Sequence, residues 1–162
     1  MWKVIRRLKS MYKIFVGLAA IVWMGVIFLL SAQPATESNE LSKGITEYII
    51  KIVEMVHPGA ELNIWINNNE VRGHAHFATY LVLGILVMLI LRSMGIRVIQ
   101  RMGLALFLCV LYAVFDEIHQ IFSPGRGIQL KDVFVDSIGA SVGIILVCVI
   151  GWIGRRGKLA RS

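Results

Sequence analysis

Four uncharged, strongly apolar runs limit what this chain can fold into more than any other feature. They cover residues 14–30, 77–91, 102–115 and 137–154. A helix needs roughly 18–20 such residues to cross the hydrocarbon layer of a membrane, and the first and last runs approach that length. The chain is also 57% hydrophobic, which exceeds the roughly 45–50% of soluble domains. The sequence therefore predicts a helical membrane protein.

We expect a single all-α integral membrane domain over residues 1–162. Its four transmembrane helices should cover about 14–32, 73–92, 99–121 and 132–154. The second and third apolar runs hold only 15 and 14 residues, so their helices must extend into charged sequence. A signal peptide is the alternative for the first run. That run is longer than the apolar part of a typical signal peptide, and no A-x-A precedes a cleavage point, so we expect a retained helix.

The segment 36–71 is polar and acidic and separates the first two membrane helices. Apolar residues recur at helical spacing within it: Leu41, Ile45, Tyr48, Ile49, Ile52, Val53 and Val56. We expect an extracytoplasmic amphipathic helix that begins at Ser38 or Asn39 and ends at His57-Pro58-Gly59. Its apolar stripe would pack on the bundle or lie in the lipid headgroup layer. The Asn67-Asn68-Asn69 run predicts a turn.

The distribution of charge predicts the orientation. Most Lys and Arg residues lie in 1–13, in 92–101 and after residue 154, whereas every acid and every His lies elsewhere. The positive-inside rule then places both termini in the cytoplasm. The net charge of +7 would lie along the inner surface of the cell membrane, where it suits anionic lipid. We therefore expect membrane lipid, and no nucleic acid, as a partner.

The stretch 112–136 lies between the last two apolar runs and holds every Asp of the chain. Ionisable groups beside membrane-spanning sequence are costly and suggest a functional site. Helical spacing places polar groups of the second, third and fourth helices at one outer level. A turn at Pro124-Gly125 should hold Arg126 above them. The candidate ligand-binding residues are Arg72, His76, Tyr80, Tyr112, Asp116, Glu117, His119, Gln120, Arg126, Asp132 and Asp136.

Spacing also separates neighbouring side chains on these helices. His74 should point away from the face that carries His76, and Glu117 lies about 100° round the helix from Asp116. The G-A-x-x-G stripe at 139–143 permits a close approach between helix backbones.

The chemistry of this site stays open between several alternatives. Arg72 and Arg126 suit an anionic group such as phosphate or carboxylate. The carboxylates and imidazoles could instead bind a divalent metal, although no H-E-x-x-H motif occurs. An ion pair between Arg72 and an Asp could be purely structural, and Tyr80 and Tyr112 could be aromatic residues of the membrane interface. Catalytic residues, a metal and a cofactor are therefore not assigned.

Four blocks of sequence resemble the VanZ-like family. They are F-L-L-S-A-Q-P at 28–34, R-x-x-x-H-F-x-x-Y-x-x-L-G at 72–84, Y-A-x-x-D-E-x-H-Q-x-F-x-P-G-R at 112–126 and D-x-x-x-D-S-x-G-A-x-x-G at 132–143. The resemblance covers nearly the whole chain, and the third block is its most specific part. It implies a small bacterial membrane protein of the cell envelope, with a namesake associated with teicoplanin resistance. It transfers no catalytic mechanism.

We therefore expect a pocket that faces outward and binds an envelope lipid headgroup, a lipid-linked cell-wall precursor or a glycopeptide. The first alternative is a membrane enzyme that acts on such a headgroup, with His119 or a carboxylate as general acid or base. The second is an assembly partner whose polar groups only join the helices.

Overall fold

The computed structural model describes residues 2–34 and 68–159, together with isolated positions between 36 and 55. Its helices are α1 (Trp2–Ser31), α2 (Asn68–Ser93), α3 (Val98–Gln120) and α4 (Leu130–Leu159). Each of them includes a segment long and apolar enough to cross a membrane. The prediction of an all-α chain with four such helices is confirmed.

The helix boundaries differ from the predicted ones mainly at the N-terminal ends. Helix α1 begins at Trp2 rather than near residue 14, because Lys and Arg are good helix formers and prolong the helix. Helix α2 includes Asn68 and Asn69, so the turn predicted there is wrong at these two positions. Helix α3 continues to Gln120, as the shortness of its apolar run required.

The outer surface of the helices is apolar. In each of the four segments that could cross a membrane, at most 33% of the residues in the most apolar stretch are buried inside the protein. Large side chains on α1, α3 and α4 point outward, among them Phe15, Ile21, Phe107, Phe134 and Ile150. Exposing this much apolar surface to water would be strongly unfavourable, whereas lipid tails solvate it. The chain is therefore a multi-pass membrane protein.

Helices α2 and α4 form the most extensive helix pair. A Cβ atom at Gly139 would overlap the carbonyl oxygen of Phe77, and one at Gly143 would overlap that of Leu81. Gly84 faces the backbone of Ala140 in the same way. The predicted close approach at the 139–143 stripe is confirmed. Phe77 directly follows His76, and Gly139 lies three residues after Asp136. The close contact between Phe77 and Gly139 therefore also sets the distance between the His76 and Asp136 side chains.

Helix α1 joins the bundle through polar as well as apolar contacts. Trp23 Nε1 donates a hydrogen bond to the carbonyl oxygen of Thr79 at 2.9 Å. The Tyr112 hydroxyl donates to the carbonyl oxygen of Met24 at 2.7 Å. Ile27 is buried in the same apolar cluster as Leu83. Helix α1 is thus integrated into the bundle, as expected of a retained helix.

The described positions between 36 and 55 are helical. Among the apolar residues predicted to form a stripe there, Ile45, Tyr48 and Ile52 are exposed. The predicted start at Ser38 or Asn39 and the stop at residues 57–59 lie outside the described residues, so the amphipathic helix itself stays a prediction.

Candidate functional site: a buried polar cluster at one end of the bundle

The helices alternate in direction, so the C-terminal ends of α1 and α3 meet the N-terminal ends of α2 and α4. Polar side chains from all four helices converge there. We call this set the polar cluster; it consists of Ser31, His76, Tyr80, Asp116, His119, Gln120 and Asp136. Tyr80, Asp116, Gln120 and Asp136 are each at most 2% exposed. Burying polar groups in a membrane bundle costs free energy unless they are paired, and such groups often mark a functional site.

Ser31 connects the first and third helices within the cluster. Its hydroxyl donates to Oδ2 of Asp116 at 2.9 Å and accepts from Nε2 of Gln120 at 2.8 Å. Ser31 is not among the site residues predicted from the sequence. The available signal was a hydroxyl at the end of an apolar run, within the F-L-L-S-A-Q-P block. One serine thus fixes the orientation of two candidate residues.

His76 and the two buried aspartates bring three helices together. Nδ1 of His76 lies 3.3 Å from Oδ1 of Asp136. This is the distance of an ion pair when the imidazole is protonated. One donor atom each of His76, Asp116 and Asp136 lies within 4.8 Å of the other two. The histidine is the more accessible member, with 15% of its side chain exposed.

Several buried polar atoms of the cluster have no hydrogen-bond partner among the described residues. They are Oδ1 of Asp116, Oε1 of Gln120, Nδ1 of His119, Oδ1 of Asp136 and the Tyr80 hydroxyl. More than about 90% of buried polar groups in folded proteins are paired. Each unpaired one costs about 1–3 kcal/mol. The cluster therefore carries unmet hydrogen-bonding capacity, and three of the five atoms can only accept.

The aromatic residues around the cluster differ in exposure. Tyr80 is fully buried, with its ring centroid 6.3 Å from that of Tyr112, so it is not an aromatic residue of the membrane interface. Tyr112 is half-buried. His119 is half-buried too, and its ring lies against Phe28 with centroids 4.1 Å apart. His119 thus links the buried interior of the cluster to the protein surface.

The loop after α3 is tied to the end of α1. Arg126 Nη1 donates to the carbonyl oxygen of Ser31 at 3.0 Å, and the Ser123 hydroxyl donates to that of Ala32 at 3.2 Å. Gly125 has φ of 76°, which is the left-handed conformation that glycine adopts without strain. The predicted turn is present, and Arg126 lies at the end of the bundle that carries the polar cluster.

Two of the predicted acidic residues, Glu117 and Asp132, lie outside the polar cluster. The buried carboxylate of Glu117 accepts the backbone N–H of Gln129 and so holds the loop that leads to α4. Asp132 lies half-buried one turn before Asp136. Arg72 belongs to α2, but its side chain lies outside the described part of the chain. His74 is exposed, in keeping with its predicted direction.

An apolar groove of about 530 Å³ lies next to the polar cluster. Its lining comes from α1, α2 and α3: Met24, Leu83, Val87, Leu108, Cys109, Leu111, Tyr112 and Phe115. Tyr112 and Phe115 are one turn and one residue before Asp116, so the groove and the cluster adjoin on α3. This volume falls in the range of roughly 300–1,000 Å³ typical of small-molecule sites.

Comparison with known proteins identifies the family without supplying an activity. Among curated proteins and among solved structures, none matches this chain. The family model described as VanZ/LLP1 matches residues 16–151, which include the polar cluster and all four membrane-spanning segments except the start of the first and the end of the last. The chain belongs to the VanZ/LLP1 family.

Proposed function

We propose that the polar cluster binds the polar headgroup of an envelope lipid, with lipid-linked cell-wall precursors as the principal candidates. The observation that carries this proposal is the set of buried polar atoms that have no partner among the described residues. A cluster that served only to join helices would gain most by pairing all of its groups with one another. Here a ligand would supply the missing partners.

The unpaired atoms favour particular headgroup chemistry. Oδ1 of Asp116 and Oε1 of Gln120 are acceptors, so they require donors from a ligand. Hydroxyl groups of a sugar or of glycerol, or a protonated amine, would provide them. His119 can donate or accept at Nδ1, depending on its tautomer. We therefore infer a headgroup rich in hydroxyl or amino groups, rather than a bare phosphate.

The adjoining groove supports an amphiphilic ligand. Its lining is apolar, so it would accommodate an acyl or isoprenoid chain while the headgroup occupies the cluster. His76 and His119 are the cluster members that reach the surface, and they would form the entrance. A ligand of this kind would reach the site laterally from the lipid layer.

The charge pattern supports an outward-facing site. Lys and Arg residues concentrate at the opposite end of the bundle, which the positive-inside rule assigns to the cytoplasm. In that orientation the polar cluster lies in the outer leaflet, where completed cell-wall precursors are exposed. A lipidated glycopeptide such as teicoplanin would encounter the protein on the same side, which gives the proposed link to resistance a physical basis.

Native mass spectrometry of the protein released from its own membrane tests this proposal. We expect one lipid per chain to remain bound, with a headgroup that carries several hydroxyl or amino groups. His119→Phe should abolish the retained lipid, because it keeps the ring beside Phe28 but removes both ring nitrogens.

His74→Phe is the matched control, since His74 is exposed at the same end of the bundle and lies outside the cluster. It should keep the lipid. Equal retention by both variants would overturn the proposal, as would a wild-type protein that emerges without lipid under conditions that preserve its fold. A chemically altered lipid recovered after incubation would instead favour the membrane enzyme.

A further inference from the structure

We propose that one imidazole nitrogen of His76 and one carboxylate oxygen each of Asp116 and Asp136 form a binding site for a divalent transition-metal ion. The inference goes beyond headgroup binding, because the ion would bind the protein whether or not a lipid is present. It rests on the geometry of the three donor atoms and on a buried oxygen of Asp116 that has no hydrogen-bond partner among the described residues.

The donor atoms are already close to the spacing that an ion requires. Ligands placed about 2.1 Å from an ion are separated from one another by roughly 3–4.2 Å. The three donors lie within 4.8 Å of one another, and the His76–Asp136 pair is at 3.3 Å. Side-chain movements of less than about 1 Å would complete the coordination. The three ligand residues belong to α2, α3 and α4, so a bound ion would connect three helices.

Two further features separate this group from an ordinary acidic cluster. Oδ1 of Asp116 is buried and has no hydrogen-bond partner among the described residues, whereas Oδ1 of Asp136 is equally buried and faces Nδ1 of His76. The other carboxylate oxygen of Asp116 is held by the Ser31 hydroxyl, as an outer-sphere hydrogen bond holds a metal ligand in position. The carboxylate is therefore oriented with one oxygen directed away from Ser31.

Charge balance favours a dication. Two ionised carboxylates in a membrane bundle require compensation. The imidazoles of His76 and His119 act on Asp116, and that of His76 also acts on Asp136. A divalent ion bound to two carboxylates and one neutral imidazole gives a site with no net charge.

The donor set also restricts the ion. Carboxylates alone would suit Mg²⁺ or Ca²⁺, but an imidazole ligand shifts the preference towards Zn²⁺ and related transition metals. Three protein ligands leave coordination positions for water or for an oxygen of a bound headgroup. With Asp116 bound to the ion rather than to a headgroup donor, Oε1 of Gln120 and His119 would remain available to the hydroxyl or amino groups of that headgroup.

Co²⁺ binding to the purified full-length protein in detergent, after treatment with a chelator, tests the site. We expect one Co²⁺ per chain, visible absorption from a site of low coordination number, and displacement of Co²⁺ by Zn²⁺. His76→Gln and Asp136→Asn should each weaken Co²⁺ binding by about 100-fold or more, since each removes a direct ligand.

His74→Gln is the matched control for His76→Gln, because it changes the same residue type on the same helix at an exposed position outside the donor group. It should bind Co²⁺ as the wild type does. Asp136→Asn is nearly isosteric, and its thermal unfolding without metal shows whether the fold is intact. A folded wild-type protein without Co²⁺ absorption would overturn the site, as would binding that His76→Gln and Asp136→Asn leave unchanged.

Discussion

The two ends of this helix bundle differ in the burial of their charged side chains. At the end formed by the C-terminal parts of α1 and α3, the carboxylates of Asp116, Glu117 and Asp136 are buried. Those of Asp116 and Asp136 lie close to His76, so this group joins three helices. At the other end, Arg6, Arg7, Lys13, Arg92 and Arg97 are exposed. Arg156 lies over the exposed ring of Trp152, 3.9 Å from its centroid, rather than in the interior. Arg101 is the exception, since it is buried.

This difference separates two roles of charged residues in a membrane protein. Exposed basic residues at a helix end need no specific partner, because water and anionic lipid headgroups solvate them. Buried carboxylates need a partner at a defined position, so the fold must be built around them. The basic end is therefore the one that the positive-inside rule predicts to face the cytoplasm, and the polar end is the one for which we propose specific binding.

Substitution of glycine should show the largest contrast between the ends. Gly139→Leu at the polar end forces a side chain against the carbonyl oxygen of Phe77, and we expect it to cost about 3 kcal/mol or more. Gly154→Leu on the same helix meets open space at the basic end, so it should be neutral or gain up to about 1 kcal/mol from helix propensity. Unfolding in mixed detergent micelles measures both. If Gly139→Leu were as well tolerated as Gly154→Leu, the close α2–α4 contact would not contribute to stability.

The two serines at opposite ends give a smaller contrast. Ser31→Ala leaves Oδ2 of Asp116 and Nε2 of Gln120 buried without their partner, so we expect a loss of about 1–3 kcal/mol. The Ser93 hydroxyl only donates to the carbonyl oxygen of Ile90 within its own helix. Ser93→Ala should therefore change the free energy of unfolding by less than about 0.5 kcal/mol. If Ser31→Ala also changed the free energy of unfolding by less than about 0.5 kcal/mol, the Ser31 hydroxyl would not hold the polar cluster together.

The smallest effect is expected at the basic end itself. Arg156→Gln removes the cation–π contact with Trp152, which is worth about 0.5–1 kcal/mol at an exposed position. We expect a loss within that range and no change in the lipid that remains bound. Chemical unfolding and native mass spectrometry of the same sample measure the two quantities. Loss of the bound lipid would show that the two ends are coupled.

Much of the fold follows from the sequence because lipid imposes simple rules. Short apolar runs had to be completed by charged residues, and this requirement alone predicts that Asp116 and His119 belong to α3. The 139–143 stripe likewise predicted the tight helix contact. The prediction failed at Asn68 and Asn69, where the continuing helix overrides the local preference of asparagine for turns.

Helical spacing could assign residues to faces but could not say which faces meet. Glu117 is adjacent to Asp116 in sequence, yet its carboxylate binds the backbone of the following loop. Ser31 lies 85 positions from Asp116, and only the packing of α1 brings them together. Pairings between distant segments depend on helix rotation and on the angles between helices, which periodicity does not determine.

The most direct measurement of the central claim is an experimental map of the protein in nanodiscs that retain its native lipids. We expect density from a group outside the chain in contact with Oδ1 of Asp116 and Oε1 of Gln120, continuous with density in the groove beside Tyr112. If both oxygens instead accept hydrogen bonds from side chains of the protein itself, Arg72 among them, the polar cluster joins helices and is not a binding site.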